Sequence, residues 1–315
     1  MSKSKIVFDK DALFSQVNDG VVEYRDELFR KFSRNMTSLL ESKRPKRYQS
    51  SRGLLDSRKL YRHQIDDSIF YKKTSTPNSD TTFLFLIDNS GSMSCRVKVG
   101  EEEYLDRLDV CSAIVSAFSK ANKTVLGNKI KTEVFAKSVA SKPMDGFVKG
   151  YVPILSRIYS NAKGDTDWDK ILSLDTCPPV KIDGQPSCSY TPEFLLLPAL
   201  MEWCRKNITT KNMVVINLTD GEVCHTFIDR DAVDAYNSYR ETGFPTRRAY
   251  DEDTKRLRIK YLRGIPNTTV YIGDGGEYYS NKIKDIYGPS AISAGDSSFS
   301  GEFFKLLNRL INEYA

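Results

Sequence analysis

Two unbroken apolar stretches, "TTFLFLID" at 81–88 and "NMVVINLTD" at 212–220, limit the folds open to this chain. A strand with one wet face alternates apolar and polar residues. A strand without alternation is buried on both faces, the condition met inside a parallel sheet covered by helices. "TTVYIGD" at 268–274 is a further strand of this kind, and "KIKTEVFA" at 129–136 alternates as a strand. Between them lie helical spacings. Residues 101–122 place Leu105, Leu108, Ala113, Val115 and Phe118 on one face. Residues 192–206 open on Pro192, which suits a first helical turn, and 301–314 close the chain as an amphipathic helix. Strands alternating with helices predict a three-layer α/β/α fold of Rossmann-like type with a mainly parallel central sheet.

Ahead of this core, Val17, Val21, Tyr24, Leu28, Phe32 and Leu39 recur at helical intervals between Phe14 and Glu41, predicting an amphipathic helix that needs a surface to lie on. Turns and a short helix near 54–62 are expected next, then a strand-like "SIFYKK" at 68–73. The polar breaker "TSTPNSD" sets a boundary near residue 79. The expected organisation is therefore a basic helical N-terminal extension over 1–79 and a main domain over 80–315.

The net charge of +6 is concentrated in that extension, where residues 1–79 carry 17 Lys and Arg against 10 Asp and Glu. A basic arm suits nucleic acid or an acidic protein, but at this density a solvated helix face is the plainer reading. No apolar run approaches the roughly 20 residues that span a bilayer. The N-terminus also lacks the apolar stretch of a secretory signal, so a cytoplasmic protein without a membrane segment is expected. Six cysteines without a CxxC pair read as reduced packing residues. The two histidines, His63 and His225, offer neither a zinc spacing nor a nucleophile context, which argues against Ser/His/Asp and Cys/His hydrolases.

In an open parallel sheet, ligands sit beyond the carboxyl ends of the strands. Asp88, Ser90 and Ser92 leave one such end in "FLIDNSGSM", and Asp220 leaves another in "NLTDGE". Gly91 permits the tight turn that folds the serines back. Carboxylates and hydroxyls are hard ligands suited to Mg2+ or Mn2+. Two carboxylates at most offset a 2+ ion, so a carboxylate from a partner becomes a favoured additional ligand. Asp and Ser after a strand also serve as turn formers and caps, but two such loops after two buried strands point to a cation.

"FLIDNSGSM" resembles the first metal-site loop of von Willebrand factor A (vWA) domains, and "INLTDGE" resembles the third. The resemblance covers roughly residues 80–315 and implies the vWA fold with its metal-ion-dependent adhesion site (MIDAS). Asp88, Ser90, Ser92 and Asp220 match that site residue by residue. The site's threonine has two candidates. Thr191 in "SYTPEFLLLPAL" precedes one helix and then the strand ending in TDG, as the family order requires. Thr166 in "GDTDWDKIL" looks like the common second loop but is followed by a further loop, so Thr191 is favoured. Around Thr166 the acidic residues do not make a calcium loop, since Lys170 stands where an EF-hand needs Gly.

Residues 50–93 further resemble the approach to the A domain in cobaltochelatase CobT-like proteins. The long acidic region of full-length CobT subunits has no counterpart here, and compact relatives of this kind occur in bacteriophages. By resemblance, the expected function is metal-dependent protein binding as the adaptor of an AAA+ ATPase of the MoxR or CobS-like class, with an Asp or Glu of the partner reaching the metal. No enzymatic role of its own is expected. A chelatase subunit or metal-dependent hydrolase is one alternative, and nucleic-acid binding through the basic front is another.

Other features read more plainly. "YIGDGGE" lacks the dinucleotide fingerprint and is expected to be a turn after a strand near the sheet edge. The charged, Tyr-bearing segment 226–264 is expected to form helices with a solvated face. Glu101, Glu102 and Glu103 are expected to open a helix at its positive dipole end. Trp168 and Trp203 are expected in core or hinge positions.

Overall fold

The computed structural model describes residues 14–41, 47–50, 54–55, 70–73, 80–99, 103–142, 150–176, 180–182, 185–187, 193–210, 212–221, 255–256, 258–273, 277–294 and 299–314. Helix α1 (Asp19–Glu41) comes first, followed by β1 (Arg47–Ser50), β2 (Leu54–Leu55) and β3 (Phe70–Lys73), a small antiparallel sheet of order β1-β3-β2. The short helix expected near 54–62 is corrected at its start: Leu54 and Leu55 pair as a strand with Tyr71 and Phe70. The strand expected at 68–73 is β3.

The main sheet has six strands. Its members are β4 (Thr81–Asp88), β7 (Lys131–Lys142), β8 (Gly150–Ser160), β11 (Asn212–Thr219), β12 (Asn267–Tyr271) and β13 (Ile292–Ser293), in the order β13-β12-β11-β4-β7-β8. All pairings are parallel except β7 with β8. Two hairpins stand apart: β5 (Arg96–Lys98) with β6 (Tyr104–Asp106), and β9 (Val180–Ile182) with β10 (Gln185–Ser187). The helices are α2 (Arg107–Leu126), α3 (Glu193–Asn207), α4 (Glu277–Tyr287) and α5 (Phe299–Tyr314).

Both faces of the sheet are covered. Phe83, Phe85 and Ile87 of β4 point into a core shared with α1, α2 and α5, while Leu84 and Leu86 point to the other side, against Leu196, Leu200 and Met201 of α3. This two-sided burial is why β4 shows no alternation. The molecule is thus a mixed α/β protein with a mostly parallel central sheet between helices. Among the described residues no helix is long and apolar enough to cross a membrane.

Helix α2 starts later than the spacing suggests. Residues 104–106 form β6, Asp106 is the N-cap, and Glu103 precedes the strand, so it does not open the helix. Glu101 and Glu102 lie outside the described residues. The helix ends on Gly127, left-handed at φ 60°, whose N–H reaches the carbonyls of Asn122 and Lys123. Strand β8 was not apparent from the sequence, and Pro153 within it fits because β8 is the outer strand of its pair. Trp168 packs against the larger core and Trp203 against the smaller, edge-on to Phe135 with centroids 4.9 Å apart. Cys95, Cys111 and Cys204 are free thiols, and the other three cysteines lie outside the described residues.

The surface needed by α1 is provided by α2 and α5. Its buried stripe of Val21, Leu28, Phe32, Met36 and Leu39 belongs to the same core cluster as β4. Phe32 stacks on Phe303 at 5.7 Å and meets Phe304 edge-on at 5.1 Å. Buried Arg25 pairs with Asp26 and Asp169, and Lys120 of α2 reaches Asp26 at 2.9 Å. The helix of the expected extension therefore shares its core with the sheet. Phe32→Ala is expected to destabilise the whole chain by about 3–5 kcal/mol, the usual cost of emptying a buried Phe site. Denaturant unfolding followed at α1 and at the sheet should show one common shift; a change confined to α1 would mean that the helix folds separately.

Candidate metal centre

The strand order places the site. From β4 the chain proceeds outward through β7 and β8, then returns to the other side of β4 and continues through β11, β12 and β13. The order reverses between β4 and β11, the place where the crevice of an open α/β sheet lies, beyond the carboxyl ends of the strands. Because Ile87 pairs with Leu218, Asp88 and Thr219 emerge side by side. Asp88, Ser90 and Asp220 are all buried.

Each oxygen of Asp88 is held. Oδ1 accepts the Ser90 backbone N–H at 2.9 Å, which closes the loop on itself, and Oδ2 accepts the Thr219 hydroxyl at 2.8 Å. Thr219 in turn accepts the Gly221 N–H at 3.2 Å. Gly221 is left-handed at φ 72°, a conformation that favours glycine, and an added Cβ would press on the tip of the Ile283 side chain at 2.5 Å. A 3-10 turn over Gly91–Ser94 carries the serines, pinned by buried Met93 and by the Ser94 hydroxyl donating to the Gly91 carbonyl at 2.8 Å. Cys95 bridges onward: its N–H donates to the Ser92 carbonyl at 3.1 Å, and its own carbonyl accepts the N–H of Arg107 at 3.0 Å.

Ser90 Oγ and Ser92 Oγ lie 3.0 Å apart. Octahedral magnesium holds oxygens at about 2.1 Å, which puts neighbouring ligands about 3 Å from one another. The two hydroxyls, which share a hydrogen bond beside the Asp88 carboxylate, have the spacing that neighbouring ligands of such an ion take. Among the described residues no three His, Cys, Asp or Glu side chains converge, so a cation here would be held by two carboxylates and by hydroxyls. Asp88, Ser90 and Ser92 share one hydrogen-bonded loop, and Asp220 directly follows Thr219, which bonds Asp88. Thr191 lies outside the described residues. Thr166 does not join them: β8 runs antiparallel and ends at Ser160, level with Glu133, four residues short of the Lys137 that faces Asp88, and Thr166 follows on an exposed loop.

Three further residues belong to the site. Thr219 fixes Asp88, and the preceding letter of "TDG" was its only signal. Lys137 sits directly opposite Asp88 in the strand register, is 2% exposed, and donates to Asn217 Oδ1 at 2.8 Å. Arg107, the first residue of α2, places Nη1 3.0 Å from Asp220 Oδ2. Neither cation was foreseeable without the fold, since both come from distant elements. Behind the loop lies Cys111, fully buried, its thiol pushed up by burial and by the Asp88 and Asp220 carboxylates, with Lys137 pulling the other way.

No protein-family model matches this chain, and no curated protein sequence does. Solved structures resemble it only distantly. The adhesive tip pilin GBS104 from Group B Streptococcus agalactiae has a TM-score of 0.41 at 11% identity, covering 75% of this chain and 100% of that one. The pilus adhesin RrgA from Streptococcus pneumoniae gives 0.40 at 9% identity, covering 74% and 44%. The human COPII-coat protein Sec24c gives 0.33 at 12% identity, covering 73% and 32%. Similarity this low decides neither family nor activity.

In the first turn of α2, Asp109 is raised from 3.8 to about 6, by burial first and then by Asp106 and Asp175. A raised carboxyl favours the fold while it is protonated. Its contribution is complete below the unfolded value near 3.8 and is lost as pH climbs through about 6. The melting temperature of Asp109→Asn, which mimics the protonated form, is therefore expected to gain on the native chain across that window. Parallel melting curves at all pH values would show that Asp109 is not strained.

Proposed function

We propose that this chain is a vWA-type module that binds Mg2+ or Mn2+ through Asp88, Ser90, Ser92 and Asp220, with Thr191 completing the set, and that it uses the ion to capture an acidic side chain of a protein partner. The observation that carries this reading is the 3.0 Å separation of the Ser90 and Ser92 hydroxyls beside buried Asp88, at the point where the strand order reverses. When bound, the ion supplies a coordination position to which an Asp or Glu oxygen of the partner can attach. The chain's own residues do the rest. Thr219 and the Ser90 N–H orient Asp88, Met93 anchors the turn, and Gly221 lets the third loop pass close to Ile283. The partner that the motif resemblance suggests is an AAA+ ATPase of the MoxR or CobS-like class, with the chain as its adaptor.

Calorimetry on the purified chain is expected to show uptake of one Mg2+ or Mn2+, lost in Asp88→Asn. A pull-down from the source lysate should retain an acidic partner in Mg2+ and release it in EDTA. If the native chain takes up neither cation, the reading is wrong.

A further inference from the structure

A positive side chain at the first position of a helix is electrostatically misplaced, because the helix dipole presents its positive end there. Arg107 occupies that position in the 20-residue α2, and the N-cap Asp106 makes no side-chain capping bond to offset it. The guanidinium is directed at Asp220, whose side chain is fully buried while that of Arg107 is 18% exposed. The match is incomplete on the arginine side: Arg107 Nε is buried without a hydrogen-bond partner among the described residues. Lys137 adds a second buried positive charge opposite Asp88. The described residues around the crevice thus bring two carboxylates and two cations. The formal charges of these four groups cancel before any ion arrives.

That balance changes what a divalent cation meets. A site with two uncompensated carboxylates would attract a dication strongly; one in which the described carboxylates are already matched by cations attracts it less. We propose that Arg107 is a built-in competitor for Asp220 that holds metal affinity low in the free chain and makes metal binding depend on an incoming carboxylate. The inference rests on the metal-site reading above and assigns its regulation. Once Asp220 turns to the ion, Arg107 is released at the half-exposed mouth of the crevice. There its planar fork of donors suits the second oxygen of the same carboxylate. The carboxylate offsets the added charge, and by linkage metal and acidic ligand each raise the affinity of the other by the same factor.

The test uses the full chain, Mg2+ as the titrant, and sodium acetate as the carboxylate probe against sodium chloride at equal ionic strength, with buffer blanks for the weak magnesium–acetate association. The native chain is expected to take up Mg2+ more tightly in acetate than in chloride. Arg107→Gln should bind Mg2+ about tenfold more tightly than the native chain in chloride, within the usual range of coupling between sites, and its acetate dependence should shrink. Arg107→Lys, which keeps the charge and loses the fork, should bind in chloride like the native chain but gain less from acetate. Thermal unfolding gives a second readout: Mg2+ should raise the melting temperature of Arg107→Gln by more than that of the native chain, even if the variant starts lower. Mg2+ uptake by the native chain with Arg107→Gln unchanged or weaker overturns this inference and leaves the metal site standing. No uptake by any of the three proteins removes the metal site and this inference together.

Discussion

The parallel pairing of β4 with β11 is the constraint on which the rest of this molecule depends. It sets Asp88 beside Thr219, and the bond between them at 2.8 Å fixes a carboxylate in a place that water cannot screen. A buried carboxylate is costly unless its acceptors are satisfied, so the loop that follows must turn back and offer Asp88 the Ser90 N–H. Everything specific to the crevice follows from that need. The left-handed glycine, the buried methionine under the turn and the two adjacent hydroxyls are the local means of holding a charged group at the end of an apolar strand.

Much of the architecture was legible because burial on both faces leaves a trace that needs no tertiary knowledge. The β4 and β11 runs, the helix over 193–207 and the C-terminal helix stand within a residue or two of where their spacing put them. Residues 150–160 escaped notice because an outer, antiparallel strand with Pro153 lacks that trace. The start of α2 was displaced for a different reason. Acidic residues at 101–103 look like a helix opening, yet the hairpin β5–β6 intervenes, and strand pairing with Arg96–Lys98 overrides helical preference up to Asp106.

Of the crevice, the oxygen-bearing residues could be read directly because they follow recognisable strands, whereas the cations could not. Arg107 and Lys137 are ordinary basic residues in sequence, and they acquire meaning only when helix placement sets Arg107 against Asp220 and strand register sets Lys137 across from Asp88. With the helix start known, Arg107 stands out as a conflict between levels, a cation where a helix prefers an anion. Such conflicts are where local rules give way to a site.

Cys95 has a consequence reaching beyond its own position. Its amide grips the turn that carries Ser92, and its carbonyl grips the first residue of α2. One residue thereby ties the backbone of the Ser92 turn to the backbone of the residue whose guanidinium is set against Asp220. The turn that bears the hydroxyl and the helix start that bears the arginine are therefore held in one fixed relation, a short splint set by a residue whose own side chain plays no part in it.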